Sequence, residues 1–306
     1  MTGRAGACLA SLRYDTDTSG TGVAMRTRFA PSPTGLLHLG HAFSAFTAWD
    51  MAQAAQGAFL LRIEDIDTAR CRDEFEAAIY DDLHWLGLSW PTPPMRQSDR
   101  QPAYDAALTA LSDMGVTYPC GCSRGDIRAA LSAPQEGGGH QPGPDGPIYP
   151  GTCRARDIRS LGPGDAVRLD MRKAVALLHK LPVAQETGPD LPDLHQPSAD
   201  DLITQIGDIV LARRDIGTSY HLSVVVDDAD QGITYVVRGQ DLYSATPIHA
   251  VLQRLLGLPT PVYHHHRLIR DETGKRLAKR DDARAIRAYR AQGLSPADIR
   301  ALAGAE

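Results

Sequence analysis

The stretch RFAPSPTGLLHLGH, residues 28–41, combines the end of a strand, a Pro/Gly loop and the start of a helix. The letters RTRFAP (26–31) predict a short strand ended by proline, and residues 39–56 predict a helix. The apolar side chains on one face of that helix are Leu39, Phe43, Phe46 and Trp49. A helix N-terminus carries unpaired N–H groups and about half a positive charge, so the stretch predicts an anion site.

Two histidines stand at this predicted helix start, three residues apart. His38 and His41 can therefore face one phosphate, and imidazole N–H groups can stabilise negative charge that develops on it. Gly35 and Gly40 allow a flat ligand to approach the backbone closely. The pattern favours a nucleotide site with His38 and His41 as catalytic residues. The alternative is a capped helix with two surface histidines.

Strand and helix patterns alternate further along the chain. The letters AFLLRIEDID (58–67) predict a buried strand, and helical patterns follow over 72–86 and 99–115. This order predicts an α/β fold with a Rossmann-like parallel sheet and right-handed crossovers. Regular elements return with GDIVLARRD, HLSVVVDDA and GITYVVRG, a helix follows over 240–256, and PVYHHHRLI predicts a further strand.

The composition of the 306-residue chain is that of a globular protein, with 42% apolar and 23% charged residues. No apolar run approaches a membrane span, and the short run AGACLASL does not fit a signal peptide. An odd count of five cysteines favours a reducing cytoplasm. The net charge of −5 argues against general nucleic-acid binding, but residues 267–290 carry nine Lys/Arg against four Asp/Glu.

Three of the cysteines fall on a segment rich in Gly and Pro. Cys120, Cys122 and Cys153 could bind a structural zinc ion, which takes four ligands from Cys and His. The chemistry of the segment alone offers His140 as the fourth ligand. The alternative is three unrelated reduced thiols.

The opening stretch resembles the first signature of the glutamyl-type class I aminoacyl-tRNA synthetases, with His38-Leu39-Gly40-His41 at the place of their "HIGH" motif. Four further blocks resemble that family in the same order. They are RIEDID (62–67), YHLSVVVDD (220–228), VVRGQDL (236–242) and GKRLAKR (274–280). The resemblance covers roughly residues 26–282. It implies a class I catalytic domain that activates an amino acid with ATP, with Mg2+ on the ATP phosphates.

A glutamate pocket needs cations for two carboxylates and an anion for the amine. Arg28, Glu64 and Arg238 supply these charges near predicted strands, and ligands of open α/β sheets bind at strand carboxyl ends. The alternative is ordinary surface charges. The resemblance assigns glutamate binding to a larger set, comprising Arg28, Phe29, Ala30, Pro31, Ser32, Glu64, Tyr220 and Arg238. We expect Arg28 and Arg238 on the side-chain carboxylate and Glu64 on the α-amine.

The block GKRLAKR resembles the family's "KMSKS" loop, aligned as Arg276-Leu277-Ala278-Lys279-Arg280. The resemblance implies that Lys279 neutralises the ATP phosphates as pyrophosphate departs. Lys279 thus joins His38, Gly40 and His41 in the predicted ATP site. Ala278 lacks the hydroxyl of the family's serine, whereas Arg276 keeps the charge of its first lysine. A basic run taken alone is more often a solvated face.

The resemblance also suggests a different fourth zinc ligand. In the short glutamyl-type enzymes CxC is followed by Y-x3-C, and YPGTC supplies Tyr149 and Cys153 at that spacing. The implied metal set is therefore Cys120, Cys122, Tyr149 and Cys153, with His140 as the runner-up. This zinc would stabilise the fold and take no part in the reaction.

The chain stops 26 residues after Arg280, whereas the translation enzymes of this family continue into a helical anticodon-binding part. This layout resembles a short branch that activates L-glutamate with ATP and transfers it to the queuosine base at the wobble position of tRNA(Asp). We therefore expect ATP, L-glutamate and queuosine-bearing tRNA(Asp) as partners, and a monomer. The alternatives are a truncated enzyme charging the 3′ end of tRNA(Glu), a nucleotidyltransferase or small ligase, and a non-catalytic zinc module that binds RNA.

The expected organisation has five parts. These are a flexible extension over 1–24, the first half of the Rossmann-like catalytic domain over 25–118, a zinc-bearing insertion over 119–200, the second half over 201–256, and the KMSKS-like loop with a small helical part over 257–306. Met25, just before the first strand, is a candidate for the true start.

Overall fold

The computed structural model describes residues 24–305, apart from 133–141, 145, 190, 192–195 and 270–283. The strands are β1 Arg26–Phe29, β2 Ala58–Ile63, β3 Met95–Arg96, β4 Thr117–Cys120, β5 Pro142–Gly143, β6 Gly146–Pro147, β7 Ala166–Leu169, β8 Glu186–Thr187, β9 Val210–Ala212, β10 Tyr235–Gly239 and β11 Val262–His266. The helices are α1 Leu39–Ala54, α2 Asp73–Trp85, α3 Gln101–Asp113, α4 Arg124–Ser132, α5 Met171–Leu177, α6 Ala199–Asp201, α7 Tyr220–Asp230, α8 Thr246–Leu256, α9 Ile286–Ala291 and α10 Pro296–Ala303.

Two parallel sheets form the centre of the molecule, with strand orders β1–β2–β3 and β10–β11–β8. The two sheets meet edge to edge, because the Thr234 amide donates a hydrogen bond to the Arg26 carbonyl at 3.0 Å. From β1 the chain crosses through α1 to β2 on one side, while β10 lies on the other. In open α/β sheets ligands bind at the carboxyl ends of strands where the strand order reverses. The β1–β10 junction is such a point.

The opening strand, loop and helix form as the sequence predicts. The predicted strand over 26–31 is β1, and the predicted helix over 39–56 is α1. The buried face of α1 packs on β1 and β2, with Phe46 and Phe59 in the same core. This packing sets the N-terminus of α1 beside the loop that follows β1. The α/β fold with a parallel sheet is confirmed.

A second core lies between α3, α7 and α8. The run HLSVVVDDA belongs to α7, whose apolar residues are buried against Leu111 and Leu252. A third sheet, antiparallel with order β4–β7–β9, packs beside this core. This sheet includes Thr117, which precedes the predicted insertion over 119–200, and Val210–Ala212, which follow it. The limits of that insertion remain a prediction.

The small helical part at the end of the chain packs on the catalytic centre. Ile286 of α9 and Ile299 of α10 are fully buried in the core that contains Phe46. The Ile286 amide donates to the Leu37 carbonyl at 2.9 Å, just before α1. Among the described residues, no helix has both the length and the apolar character that a membrane crossing requires. The predicted extension over 1–24 lies, except for its last residue, outside the described residues.

Candidate active site and thiol cluster

The start of α1 is capped by its own two histidines. His38 is the N-cap residue, and its Nδ1 accepts a hydrogen bond from the Gly40 amide at 3.1 Å. The His41 Nδ1 accepts from the His38 amide at 3.1 Å, and the two ring centroids are 3.8 Å apart. Because both Nδ1 atoms accept, each neutral ring carries its proton on Nε2. Each histidine thus presents an Nε2–H donor at the helix N-terminus.

Glycine at position 40 leaves room for the His38 ring in this arrangement. A Cβ there would lie 3.0 Å from Cε1 and 3.1 Å from Nδ1 of His38, which is tighter than normal contact. A side chain at position 40 would therefore require the His38 ring to shift by a few tenths of an ångström. The glycine keeps the imidazole in place as well as leaving the backbone accessible.

The segment that carries Arg276 and Lys279 lies outside the described residues. Its two flanks are described, and both pack near the start of α1. Ile269 contacts Phe43 in a buried cluster, and Ala285 forms an isolated β-bridge with His38. The role of Lys279 stays a prediction.

A balanced network of ion pairs lies below the carboxyl ends of β1 and β2. The Arg28 Nε donates to Asp228 at 2.9 Å, and Arg62 donates to Asp228 at 2.7 Å and to Glu64 at 3.1 Å. Burial opposes the ionisation of Asp228, but the charges of Arg28 and Arg62 outweigh it and lower its pKa. Burial raises the pKa of Glu64 against the charges of Arg62 and Arg28. Two guanidinium groups thus face two carboxylates.

Arg238 on β10 is buried in a different environment. Its two terminal nitrogens bond to the Nδ1 of His249 at 3.0 Å and to the Thr246 hydroxyl at 2.7 Å. Its guanidinium carbon lies 4.7 Å from the centre of the Tyr263 ring. No described carboxylate forms an ion pair with Arg238, and its Nε lacks a partner among the described residues. Arg238 is therefore a buried cation surrounded by uncharged groups.

Tyr220, the first residue of α7, links these two environments. Burial raises the pKa of its hydroxyl; the charge of Glu64 adds to that effect, and the charges of Arg238 and Arg28 oppose it. All three charged groups thus act on one hydroxyl. The structure brings Arg28, Glu64, Tyr220 and Arg238 to the same edge of the sheet.

The remaining residues of the predicted glutamate set form the loop after β1. The Phe29 side chain is buried in the core, so its contribution to a ligand would come from its backbone. Ala30 and Ser32 are half-buried. The Pro31 carbonyl accepts a hydrogen bond from the Glu64 amide at 3.1 Å, which ties the loop to the end of β2.

Sequence reasoning missed four residues of this site, namely Arg62, Asp228, Thr246 and His249. Two of them left a signal, since Arg62 interrupts the apolar strand AFLLRI and Asp228 ends the apolar run of YHLSVVVDD. A charge in an otherwise buried run needs a partner of opposite sign. Thr246 and His249 gave no comparable signal, because polar residues at a helix start are common.

The thiols of Cys120, Cys122 and Cys153 come together on the third sheet, with ligand atoms all within 4.8 Å of one another. The Tyr149 hydroxyl lies 3.3 Å from the Cys120 Sγ and 3.4 Å from the Cys122 Sγ. Burial opposes ionisation of the Cys153 thiol, but hydrogen bonds with Tyr149 and Cys122 lower its pKa to about 7. His140, the other candidate ligand, lies outside the described residues.

The donor set and its spacing fit a tetrahedral metal ion. Zinc–sulfur bonds of about 2.3 Å place tetrahedral ligands roughly 3.8 Å apart, and the Cys122 and Cys153 sulfurs are 3.5 Å apart. The three thiols supply three of the four ligands that a structural zinc ion takes, and hydrogen bonds to sulfur are weak on their own. The cluster is a candidate metal site.

Comparison with known proteins shows the class of enzymes to which the chain belongs. The family model for the catalytic domain of class I tRNA synthetases (E and Q) matches residues 24–147 and 196–303. A glutamate tRNA ligase from Elizabethkingia meningosepticum, solved in complex with its amino acid, is 27% identical with a TM-score of 0.66, over 85% of this chain and 52% of that chain. The chain thus spans about half the length of that ligase. The chain belongs to the class I aminoacyl-tRNA synthetases of the glutamyl and glutaminyl type and is a ligase.

Two curated relatives show to which family within this class the chain belongs. The glutamyl-Q tRNA(Asp) synthetase of Rhodobacter capsulatus is 58% identical over 283 residues, which are 92% of this chain and all of that protein. The protein of the same name from Geobacter sulfurreducens is 43% identical, over 86% of this chain and 78% of its own length. Within its class, the chain belongs to the family of the glutamyl-Q tRNA(Asp) synthetases.

Proposed function

We propose that this chain activates L-glutamate with ATP as glutamyl-adenylate and transfers the glutamyl group to the queuosine base at the wobble position of tRNA(Asp). The observation that carries the amino-acid part is Arg238, a buried cation with only uncharged partners, at the same sheet edge as Glu64. The names of the two curated relatives support the RNA part.

The amino acid occupies the β1–β10 junction in this proposal. The side-chain carboxylate pairs with Arg238, whose charge no described carboxylate neutralises, while the α-amine lies against Glu64. Arg28 already donates to Asp228, so it adds positive potential more than new hydrogen bonds. Tyr220 borders both ends of the ligand, and residues 29–32 line it through their backbone.

The first step joins glutamate to the nucleotide. An oxygen of the glutamate α-carboxylate attacks the α-phosphate of ATP, and pyrophosphate leaves without a covalent enzyme intermediate. The Nε2–H groups of His38 and His41 and the N-terminus of α1 stabilise the charge on the phosphate, beside Gly40. Lys279 neutralises the departing pyrophosphate, and Mg2+ that accompanies ATP supplies further positive charge.

The second step moves the glutamyl group to RNA. A hydroxyl of the cyclopentenediol of queuosine attacks the carbonyl carbon of the adenylate, and AMP leaves. The basic residues of 267–290 contact the RNA backbone, so the affinity for tRNA falls steeply with added salt. Zinc, bound by Cys120, Cys122, Cys153 and Tyr149, would stabilise the third sheet. A cytoplasmic location and a monomeric state remain predictions.

The decisive experiment follows labelled glutamate into RNA. The substrates are tRNA(Asp) with queuosine, the same tRNA lacking queuosine, and queuosine-bearing tRNA(Asp) without its 3′-terminal adenosine. We expect label in the first and third only. Label that depends on the terminal adenosine, or that enters tRNA(Glu), would instead indicate a truncated glutamyl-tRNA synthetase. The likeness to the solved glutamate tRNA ligase is the observation that favours this alternative. Absence of glutamate-dependent pyrophosphate exchange would contradict the proposal and leave a nucleotidyltransferase, a small ligase or a non-catalytic zinc module that binds RNA.

A further inference from the structure

We propose that His249 is a positioning residue that sets the preference for glutamate over glutamine by orienting Arg238 without neutralising its charge. The proposal rests on the proposed function, because it assumes that Arg238 binds the side chain of the amino acid. It adds a residue on α8 whose ring bonds to Arg238 and lies edge-on to the Tyr220 ring, with the two centroids 5.8 Å apart. Thr246 on the same helix is its partner in this role.

Chemistry fixes the direction of the hydrogen bonds that join Arg238, His249 and His221. A guanidinium only donates, so the Nδ1 of His249 must accept from Arg238 at 3.0 Å. The proton of a neutral His249 is then on Nε2, which donates to the Nδ1 of His221 at 3.0 Å. His221 accordingly carries its own proton on Nε2. The two imidazoles form one ordered chain that ends on Arg238.

The surroundings of His249 keep its ring uncharged. Burial lowers its pKa well below the usual value, and the charges of Arg238 and Arg28 add to that effect, in the same direction as protonation of His221 would. The other titratable groups that face it are Tyr220 and Tyr263, whose ring centroids lie 5.8 Å and 6.3 Å away. A protonated ring would lose its acceptor and place a second cation beside Arg238. His249 therefore acts as a neutral acceptor.

The buried guanidinium groups of this site have two kinds of partner. Arg28 and Arg62 bond to the carboxylate of Asp228, which neutralises positive charge. Arg238 bonds to an imidazole and a hydroxyl, which orient the guanidinium and leave its charge for a ligand. A carboxylate ligand forms an ion pair with this guanidinium, whereas the uncharged amide of glutamine only accepts a hydrogen bond from it. Selection for glutamate thus depends on the absence of charge at position 249.

Three sides of the guanidinium are held by the protein. His249 and Thr246 each bind one terminal nitrogen, and the Tyr263 ring covers one face. The buried Nε lacks a partner among the described residues. The remaining N–H groups include the edge formed by Nε and a terminal nitrogen, which matches the two oxygens of a carboxylate.

The test uses three substitutions at one position. His249→Asn keeps a neutral acceptor near Nδ1, His249→Leu removes the acceptor, and His249→Asp keeps the acceptor but adds negative charge. Pyrophosphate exchange without tRNA gives KM and kcat for glutamate, glutamine and ATP. His264→Leu is the matched control, because this histidine on β11 is half-buried and bonds to Thr187 instead. Thermal unfolding of each variant reports whether it folds.

We expect His249→Leu to raise the glutamate KM about tenfold, while its ATP KM stays within threefold of the wild-type value. The glutamate KM of His249→Asn should stay within threefold of the wild-type value. His249→Asp should raise the glutamate KM by about 100-fold and reduce the glutamate-over-glutamine preference at least tenfold. His264→Leu should match wild type. Equal loss in all three variants, or a wild-type preference in His249→Asp, would overturn the proposal.

Two outcomes keep this inference separate from the proposed function. Wild-type protein without glutamate-dependent exchange contradicts the function itself. Active wild type with an unaffected His249→Leu contradicts only the role of His249. If the position 249 variants do not fold, Thr246→Val removes the second partner of Arg238 with little change in volume. We then expect a glutamate KM raised about fivefold, and an unchanged KM would overturn the proposal.

Discussion

The two polar centres of the molecule are built from different interactions. At the parallel sheet, Arg28, Arg62, Glu64 and Asp228 form ion pairs of 2.7–3.1 Å. At the third sheet, the thiols and the Tyr149 hydroxyl contact one another at 3.3–3.5 Å through weak sulfur hydrogen bonds. The first centre is ordered by the protein's own charges, whereas the second needs a bound ion to become strong. Mutations in the two should therefore have separable effects.

The largest effect is expected from Asp228→Asn in the charged centre. The change leaves two buried guanidinium groups without their common anion, so the free energy of unfolding should fall by about 3–5 kcal/mol. Urea denaturation measures the loss. Asp230→Asn, an exposed acid on the same helix that pairs with Arg100, should cost less than about 1 kcal/mol. Equal losses in Asp228→Asn and Asp230→Asn would mean that the buried ion pairs contribute no more to stability than an exposed one.

Arg238→Ala tests the uncompensated cation beside that network. Loss of a charge-assisted bidentate contact should raise the glutamate KM by roughly 100-fold or more. The ATP KM should change little, because the α1 histidines are unaffected. Pyrophosphate exchange is the assay, and Arg254→Ala on the exposed face of α8 is the control. Unchanged glutamate activation would remove Arg238 from the pocket.

Cys120→Ser tests the second centre. We expect about one zinc ion in the native protein by metal analysis and much less in the variant. Loss of the ion should cost about 2 kcal/mol, which lowers Tm by roughly 4–8 °C. Cys71→Ser, outside the cluster, should leave both values unchanged. A native protein without zinc would contradict the metal assignment and remove the contrast between the two centres.

The smallest effect concerns a carboxyl that belongs to neither centre. Both oxygens of Asp82 on α2 are buried without a hydrogen-bond partner among the described residues. Burial raises its pKa to about 6, against the charges of Arg287 and Arg290. The folded state thus binds this proton more tightly than the unfolded state, whose pKa is about 3.9, so stability falls as the pH rises from about 4 to 6.

Asp82→Asn should therefore stabilise the protein at pH 8 by about 1 kcal/mol, or roughly 2–4 °C in Tm, with no gain near pH 4. Thermal unfolding measured between pH 4 and pH 8 gives this change in stability. Asp81→Asn is the control, since Asp81 is exposed and pairs with Arg290 at 2.9 Å. A gain that does not vary with pH would show that ionisation of Asp82 is not the cause.

Local pattern was enough to predict the parts of the site that lie close together in sequence. The spacing of His38 and His41 predicted a helix start with two converging rings, and strand ends predicted the positions of Glu64 and Arg238. The CxC spacing predicted the thiol cluster. The paired histidines and the strand-end charges depend on single helices and strands, which the sequence displays directly, whereas Cys153 joins the CxC pair from 31 residues away.

The rest depends on how elements pack, which no local pattern records. His249 reaches Arg238 because α8 folds back on β10, and Asp228 reaches Arg28 across 200 residues of chain. The pairing of β9 with β7 extends the third sheet beyond the Gly/Pro-rich segment that suggested an insertion. Side-chain partners between distant elements follow from tertiary packing, so the charge balance of the site emerged only in three dimensions.

The β-bridge between His38 and Ala285 links the last helices of the chain to the predicted nucleotide site. Because α9 begins at the next residue and Ile286 is fully buried, any motion of α9 must pass to the backbone of the α1 cap. Changes at the carboxyl terminus that disturb Ile286 or Ile299 would therefore disturb both the core and the cap of α1.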